Sequence, residues 1–237
     1  MMKQTYNTYS NEDREVWETL FSRQVKNLDQ KAHGLYFDSL KELEPVLNQH
    51  SIPRFDELNE TLLAKNGWSI EVVPGMIPVD EFFTLLAKKK FCSSTWLRSK
   101  KQLDYLEEPD MFHDIFGHIP LLMDPEYADF VEEFGKLGIH YKNDQKMIAK
   151  LQRLYWYTIE FGIIKNEDTP MIYGAGIISS FGESQHIYSE GVNRISFDID
   201  WIFNHDFINS EIQNVYVEIE SLASLYHITK QIQRLYS

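Results

Sequence analysis

Two histidines five residues apart, with a glycine before the second and a proline after it, constrain this chain more than any other feature. They stand in the segment Glu108-Pro-Asp-Met-Phe-His113-Asp-Ile-Phe-Gly117-His118-Ile-Pro120. On a straight α-helix of about 3.6 residues per turn, positions i and i+5 lie roughly 140° apart. The two imidazoles therefore cannot face one point from an unbroken helix. Proline disfavours helical backbone at Ile119, and glycine permits a left-handed exit at Gly117. The expectation is that His113 projects from the last turn of a helix and His118 from the turn that leaves it. The spacing is not that of the zinc-protease pattern His-Glu-x-x-His, and Asp114 follows the first histidine.

A second segment, Leu154-Tyr-Trp-Tyr-Thr-Ile-Glu160-Phe-Gly162, sets one carboxylate in an otherwise apolar and aromatic helix closed by glycine. A carboxylate between Ile159 and Phe161 is costly to bury unpaired, so Glu160 calls for a metal or a cation. Read alone, in a chain with 8 His, the histidine pair is more often one of hydrogen-bonded core residues than of ligands. Glu160 alone also fits a buried ion pair with an arginine. Together, two imidazoles and one carboxylate are the ligand set of a non-haem Fe(II) oxygenase, which leaves three metal positions open.

Composition narrows the setting. With 237 residues, 43% of them hydrophobic and 14% aromatic, the chain is long enough for one domain with a sizeable core and an aromatic-lined pocket. A net charge of −13 argues against nucleic acid or an anionic membrane surface as partner. Cys92 is the only cysteine, which excludes an intrachain disulfide and suits a reducing compartment. The polar start lacks the apolar run of a signal peptide, and no stretch reaches the roughly 18 apolar residues of a membrane span. These features point to the cytoplasm.

Periodicity gives a mainly α fold with short β elements at the mouth of a site. Glu12 to Leu28 is amphipathic, with Val16, Leu20, Val25 and Leu28 near one stripe. Further helices are expected over His33 to Leu47, Phe55 to Lys65, Pro78 to Phe91, from Pro125, over Lys146 to Phe161, and over Ser221 to Leu235. Lys88-Lys-Lys90 reads as the solvated basic end of a helix, favourable to its dipole. Short strands are expected at Ser69 to Val73, Met171 to Tyr173, Ile195 to Asp198 and Val215 to Ile219.

Three blocks now make the sequence recognisable: Glu108-Pro-Asp…His113…Gly117-His118…Pro120, Tyr155-Trp156-Tyr-Thr-Ile-Glu160-Phe-Gly162, and Tyr173-Gly-Ala-Gly-Ile-Ile-Ser-Ser180-Phe-Gly-Glu183. In this order the chain resembles the tetrahydropterin-dependent aromatic amino acid hydroxylases, most of all the bacterial phenylalanine-hydroxylating branch, from about Trp17 to about Leu222. The resemblance implies a single compact catalytic domain, 1–237, with no separate regulatory or tetramerisation domain, and a monomer. It implies Fe(II) held by His113, His118 and Glu160, with O2 and a tetrahydropterin such as tetrahydrobiopterin as co-substrates. The implied reaction is ring hydroxylation of a free aromatic amino acid, phenylalanine to tyrosine, as in phenylalanine catabolism. Tyrosine or tryptophan hydroxylation is the alternative within the family. A functional link to a pterin-carbinolamine dehydratase follows in the same way.

Residue by residue, the resemblance places Arg98 on the substrate carboxylate with help from the Ser179 hydroxyl. A guanidinium fork suits a carboxylate on chemical grounds as well. It forms the slot for the substrate ring from Pro109, Trp156, Phe161 and the backbone at Gly176. As residues alone, Trp156 and Phe161 read as core, and a surface charge is the lesser alternative for Arg98. By the same resemblance the pterin is expected along Val73, Gly75 and Ile77, with Phe82 stacked on it, Tyr155 closing the far end, and Asp114 reaching it through water. Asp114 and Leu106 depart from the animal members, which have Glu and Thr there. The stretch Phe207 to Glu220 matches the family least well, so no substrate contact is expected from it.

Overall fold

The computed structural model describes residues 2–104, 106, 108–167 and 169–236, without the side chains of 235 and 236. Helix α1, Asn11–Leu28, opens on a reciprocal cap: the Ser10 hydroxyl accepts from the Asp13 N–H, and the Asp13 carboxylate accepts from the Ser10 N–H. Its inner face buries Val16, Trp17, Leu20, Phe21 and Leu28, while Val25 is half-buried. Helix α2, Gly34–Glu42, is capped by the His33 ring, whose Nδ1 accepts from the Leu35 N–H. It stops well short of the expected Leu47. Pro45 has no N–H to continue the ladder and pushes Glu44 away from helical backbone. Helix α3, Phe55–Asn66, ends as expected, on Gly67 at φ +81°.

The chain then forms β1, Ser69–Val72, and α4, Val79–Leu86. The helix expected to reach Phe91 ends at Leu86. Lys89 takes φ +55°, and Lys90–Ser93 becomes β2, parallel to β1, with Ser69 opposite Lys90 and Val72 opposite Ser93. The basic run is therefore not a helix end. Lys89 reaches Glu132 at 3.3 Å, and Lys90 reaches Glu71 at 2.6 Å.

A wide, π-wound turn over His113–His118 runs directly into α5, Ile119–Leu122. Helix α6, Pro125–His140, has proline at its first position and the Asp124 carboxylate accepting from the Tyr127 N–H at 2.8 Å. Helix α7, Gln145–Tyr155, continues into a second π-wound turn, Trp156–Glu160. Next come β3, Gly162–Ile164, β4, Met171–Ile172, α8, Ala175–Ser179, and α9, Phe181–His186. They are followed by β5, Asn193–Ser196, α10, Ile199–Asn204, β6, Val215–Ile219, and α11, Leu222–Tyr236. Strand β5 cannot run on to Asp198, because the Asp198 carboxylate caps α10 by accepting from the N–H groups of Asp200 and Trp201. The strands order as β4-β3-β6-β5, with β3, β6 and β5 parallel and β4 antiparallel to β3.

The core forms behind the histidine segment. Phe112 and Phe116 stack at 4.7 Å; Trp17 meets Phe112 edge-on at 5.6 Å, and Phe21 meets Phe116 at 5.0 Å. The buried Tyr36 donates its hydroxyl to the Phe116 carbonyl at 2.9 Å. Each such ring contributes about 1.5–3 kcal/mol by burial. The aromatic residues beside the histidines thus anchor the segment and leave the imidazoles to face the opposite way. The mainly α architecture with short β elements is as the sequence suggested.

Candidate metal centre and substrate cavity

The histidine segment is not broken. Ile119 sits at φ −63°, ψ −39°, within the helical region, and Gly117 is not among the glycines with positive φ. The two histidines meet because the turn between them is π-wound. Bonding from i to i+5 widens the turn and brings residues five apart over one another. The Nε2 atoms of His113 and His118 lie 3.2 Å apart. Gly117 serves close packing: a Cβ there would stand 2.9 Å from the Ala175 carbonyl oxygen of α8.

The same device delivers the carboxylate. The Phe161 N–H bonds the Trp156 carbonyl at 2.9 Å, an i to i+5 link, and the Thr158 hydroxyl takes the Leu154 carbonyl. Glu160 then stands with Oε1 3.1 Å from His118 Nε2 and Oε2 3.6 Å from His113 Nε2. Ligand atoms of the three residues all lie within 4.8 Å of one another. Among the described residues Glu160 has no arginine partner; the histidines fill that role.

Neighbours fix the two rings. Ser179 donates its hydroxyl to the Ala175 carbonyl at 2.9 Å, so its lone pair accepts from His113 Nδ1–H at 2.8 Å. That hydrogen bond sets the tautomer and turns the Nε2 lone pair toward His118 and Glu160. Phe91 of β2 packs on the His118 ring at 4.5 Å. Burial lowers the His113 pKa to about 4, against the attraction of Glu160. Burial alone would raise Glu160; His118 and His113, with hydrogen bonds from His118 and Tyr155, outweigh it and hold the carboxyl at about 2. Both groups are deprotonated at neutral pH, the state in which they ligate a cation. Asp114 differs: burial pushes it up to about 8, against a hydrogen bond from the Ser94 N–H at 2.9 Å.

The triad lies in the wall of a cavity of about 520 Å³, a size suited to small-molecule ligands. All fifteen residues singled out from the sequence line it. Arg98, Pro109, Trp156, Phe161, Gly176 and Ser179 do so together with Val73, Gly75, Ile77, Phe82, Asp114 and Tyr155. Phe82 meets Tyr155 edge-on at 5.2 Å, and Trp156 lies over Phe161 at 4.5 Å. Gly176 admits the Phe161 ring, which a Cβ there would meet at 2.7 Å.

Sequence reasoning missed several of the residues that shape this space. Asp110 is fully buried and grips Arg98 through both Nε and Nη2 at 2.9 Å, also accepting the Arg98 N–H. Arg98 is 7% exposed, so it is not a surface charge. The signal was present: Asp110 is buried in the same block as His113, and a buried carboxylate needs a cation. Phe207, Asn209, Glu211 and Ile212 also line the cavity, in a stretch from which no substrate contact was expected. Phe207 stacks on Trp156 at 4.3 Å with ring planes 12° apart. Glu183 borders the cavity too; its carboxylate accepts from the Tyr216 hydroxyl and from the Gln213 N–H.

The donor set fits a divalent metal ion with several positions left open. The cavity also fits a flat heterocycle. Phe82 and Tyr155 offer ring surfaces in its wall, and the buried Ser94 Oγ has no hydrogen-bond partner among the described residues. Among the described residues no helix is long and apolar enough to cross a membrane.

Comparison with known proteins agrees with this geometry. The family model described as biopterin-dependent aromatic amino acid hydroxylase matches residues 3–236. The phenylalanine-4-hydroxylase of Chromobacterium violaceum is 43% identical over 229 residues, 96% of this chain and 76% of that protein. That of Ralstonia nicotianae is 40% identical over 230 residues, 97% of this chain and 72% of that protein. A crystal structure of the Chromobacterium violaceum enzyme with bound iron(III) and 7,8-dihydrobiopterin superposes with a TM-score of 0.92. It is 42% identical, covering 99% of this chain and 84% of that one. Matched along nearly its whole length, the chain belongs to the biopterin-dependent aromatic amino acid hydroxylases.

Proposed function

We propose that this protein is an iron- and tetrahydropterin-dependent monooxygenase that hydroxylates the ring of free phenylalanine to give tyrosine. The observation that carries the reading is the convergence of His113, His118 and Glu160 in the wall of an aromatic cavity that also holds one guanidinium, Arg98. The metal is held by these three residues. A reduced pterin occupies the side bounded by Val73, Gly75, Ile77, Phe82, Asp114 and Tyr155. Phenylalanine occupies the side bounded by Pro109, Trp156, Phe161 and Gly176, with its carboxylate toward Arg98. Iron and reduced pterin, when bound, supply the activation of O2.

The protein's own share is placement. Asp110 fixes the Arg98 fork, which sets how far the substrate reaches into the cavity. Ser179 orients His113. Trp156, Phe161 and Phe207 form a packed aromatic wall that excludes water from the ring. The chain acts as a single cytoplasmic catalytic domain and a monomer in phenylalanine catabolism, alongside a dehydratase for pterin carbinolamine. The direct test supplies iron-loaded protein with O2, a tetrahydropterin and each aromatic amino acid in turn. Mass spectrometry should show tyrosine from phenylalanine, with pterin oxidised in step. Products formed without pterin or O2 would overturn the reading.

A further inference from the structure

Gln213 is a buried polar residue, 8% exposed, in the stretch from which no substrate contact was expected. Its side-chain oxygen accepts from the Trp156 indole N–H at 3.0 Å. Its amide nitrogen donates to the carbonyls of Ile208 at 2.7 Å and Glu211 at 2.8 Å. Its backbone N–H donates to the Glu183 carboxylate at 3.0 Å. One side chain thus satisfies the indole and ties down both ends of the loop between Phe207 and Ile212. The chain leading into the loop is anchored on α7 and the π-wound turn after it: the Arg153 guanidinium donates to the Phe203 carbonyl and the Asp206 carboxylate, and the Tyr157 hydroxyl donates to the Asp206 carbonyl. Trp156 is held between Phe161 at 4.5 Å and Phe207 at 4.3 Å. An indole free to turn about its side-chain bonds would lose both ring contacts together. An amide is the group that fits here, because it accepts once and donates twice.

We infer that Gln213 is a positioning and specificity-determining residue, which locks the Trp156 indole to the Phe207–Ile212 loop and so fixes the shape of the slot for the substrate ring. The inference rests on the substrate reading proposed above. Gln213 acts through Trp156 and the loop carbonyls. Removing its amide should blur discrimination among aromatic rings more than it slows turnover of a ring already in place. Metal and pterin, on other walls of the cavity, should be little affected.

The test compares the unsubstituted protein with Gln213→Leu, Gln213→Glu, Trp156→Phe and the double variant Gln213→Leu/Trp156→Phe. Gln213→Leu should raise the phenylalanine KM about tenfold and shift the phenylalanine-to-tryptophan ratio of kcat/KM toward tryptophan. The pterin KM and the bound iron should stay within about twofold. Gln213→Glu keeps the acceptor for the indole and loses the two donors, so it should fall between. The Trp156 indole 1H–15N resonance, identified by its absence in Trp156→Phe, should move in Gln213→Leu and stay near its place in Gln213→Glu. Once Trp156 is Phe, adding Gln213→Leu should change the ratio by less than it does alone. An unmoved resonance, or independent effects of the two substitutions on the ratio, overturns the role of Gln213. A pterin KM that rises together with the phenylalanine KM also overturns it, since that marks general loosening. If the unsubstituted protein forms no tyrosine, the functional reading fails, and the inference with it.

Discussion

His113 and His118 place their Nε2 atoms 3.2 Å apart although five residues separate them, because the helix that carries them is wound as a π turn and not interrupted. Glu160 closes the group from a second π turn, at 3.1 Å from His118 and 3.6 Å from His113. Two local expansions of helix, each costing regular i to i+4 bonds, therefore point at one place. Such expansions persist where surrounding packing enforces them, and here Phe112, Phe116 and the close approach of Gly117 to Ala175 do so.

The first prediction concerns that group. Glu160→Gln and His113→Ala should each abolish hydroxylation and weaken iron binding at least tenfold. Metal content after dialysis and tyrosine formation are the measurements. Full turnover by either variant with iron in place would exclude these residues as ligands.

The Arg98–Asp110 pair gives a second. Arg98→Ala should raise the phenylalanine KM by about two orders of magnitude, in line with about 2–3 kcal/mol for a charged hydrogen bond, and leave the pterin KM nearly unchanged. It also strands a carboxylate that is 0% exposed, so it should cost about 3–5 kcal/mol of folding stability. Asp110→Asn keeps the shape and one acceptor, and should raise the phenylalanine KM with a smaller loss of stability. A substrate KM indifferent to both changes would place the amino acid elsewhere in the cavity.

Much of the site was legible in sequence because its ligands are chemically distinctive and clustered. Glu160 stood out as a carboxylate among Ile159 and Phe161, and the spacing of the histidines demanded an irregular helix. The form of that irregularity was not legible. Gly117 and Pro120 suggested an exit from the helix, whereas the glycine is needed for contact with α8 and Pro120 lies inside a continuous helical run, where the Phe116 carbonyl accepts from the Tyr36 hydroxyl. The early end of α4 was hidden for a similar reason: the pairing of Lys90–Ser93 with β1 is non-local and overrides a locally helical pattern. The Phe207 loop carries no motif. Its place in the cavity wall comes from Gln213, Arg153 and Tyr157, which only the fold brings together.

Glu183 yields a pH-dependent prediction. Burial raises its carboxyl pKa from 4.5 to about 6, against hydrogen bonds from Tyr216 and the Gln213 N–H. The native state therefore holds this proton more tightly than the unfolded chain does. The associated stabilisation is fully present below pH 4.5 and is lost as pH rises through 6, an amount of about 2 kcal/mol at about 1.4 kcal/mol per pKa unit. Glu183→Gln cannot titrate, so the stability of the variant relative to the unsubstituted protein should rise between pH 4.5 and 6 and level off above 7. Denaturant midpoints across that range measure it. Parallel curves for the two proteins would show that Glu183 is not the titrating group.

The last prediction concerns Trp156, whose ring lies between Phe161 and Phe207 in the wall of the cavity that holds the three ligand residues. Glu160 follows in the same π turn, so the indole and the carboxylate project from one short stretch of backbone. If the indole bounds the substrate slot, Trp156→Phe removes bulk there, releases the Gln213 acceptor and makes room for a larger ring. Tryptophan hydroxylation should then gain on phenylalanine hydroxylation. Changed apolar volume in a pocket is worth only about 1–3 kcal/mol of discrimination, so the ratio of kcat/KM values should shift roughly tenfold to a hundredfold, short of a complete switch. The measurement is kcat/KM for both amino acids in both proteins at saturating pterin. An unchanged ratio would make Trp156 ordinary packing between two phenylalanines and leave the selection of the ring to the opposite wall.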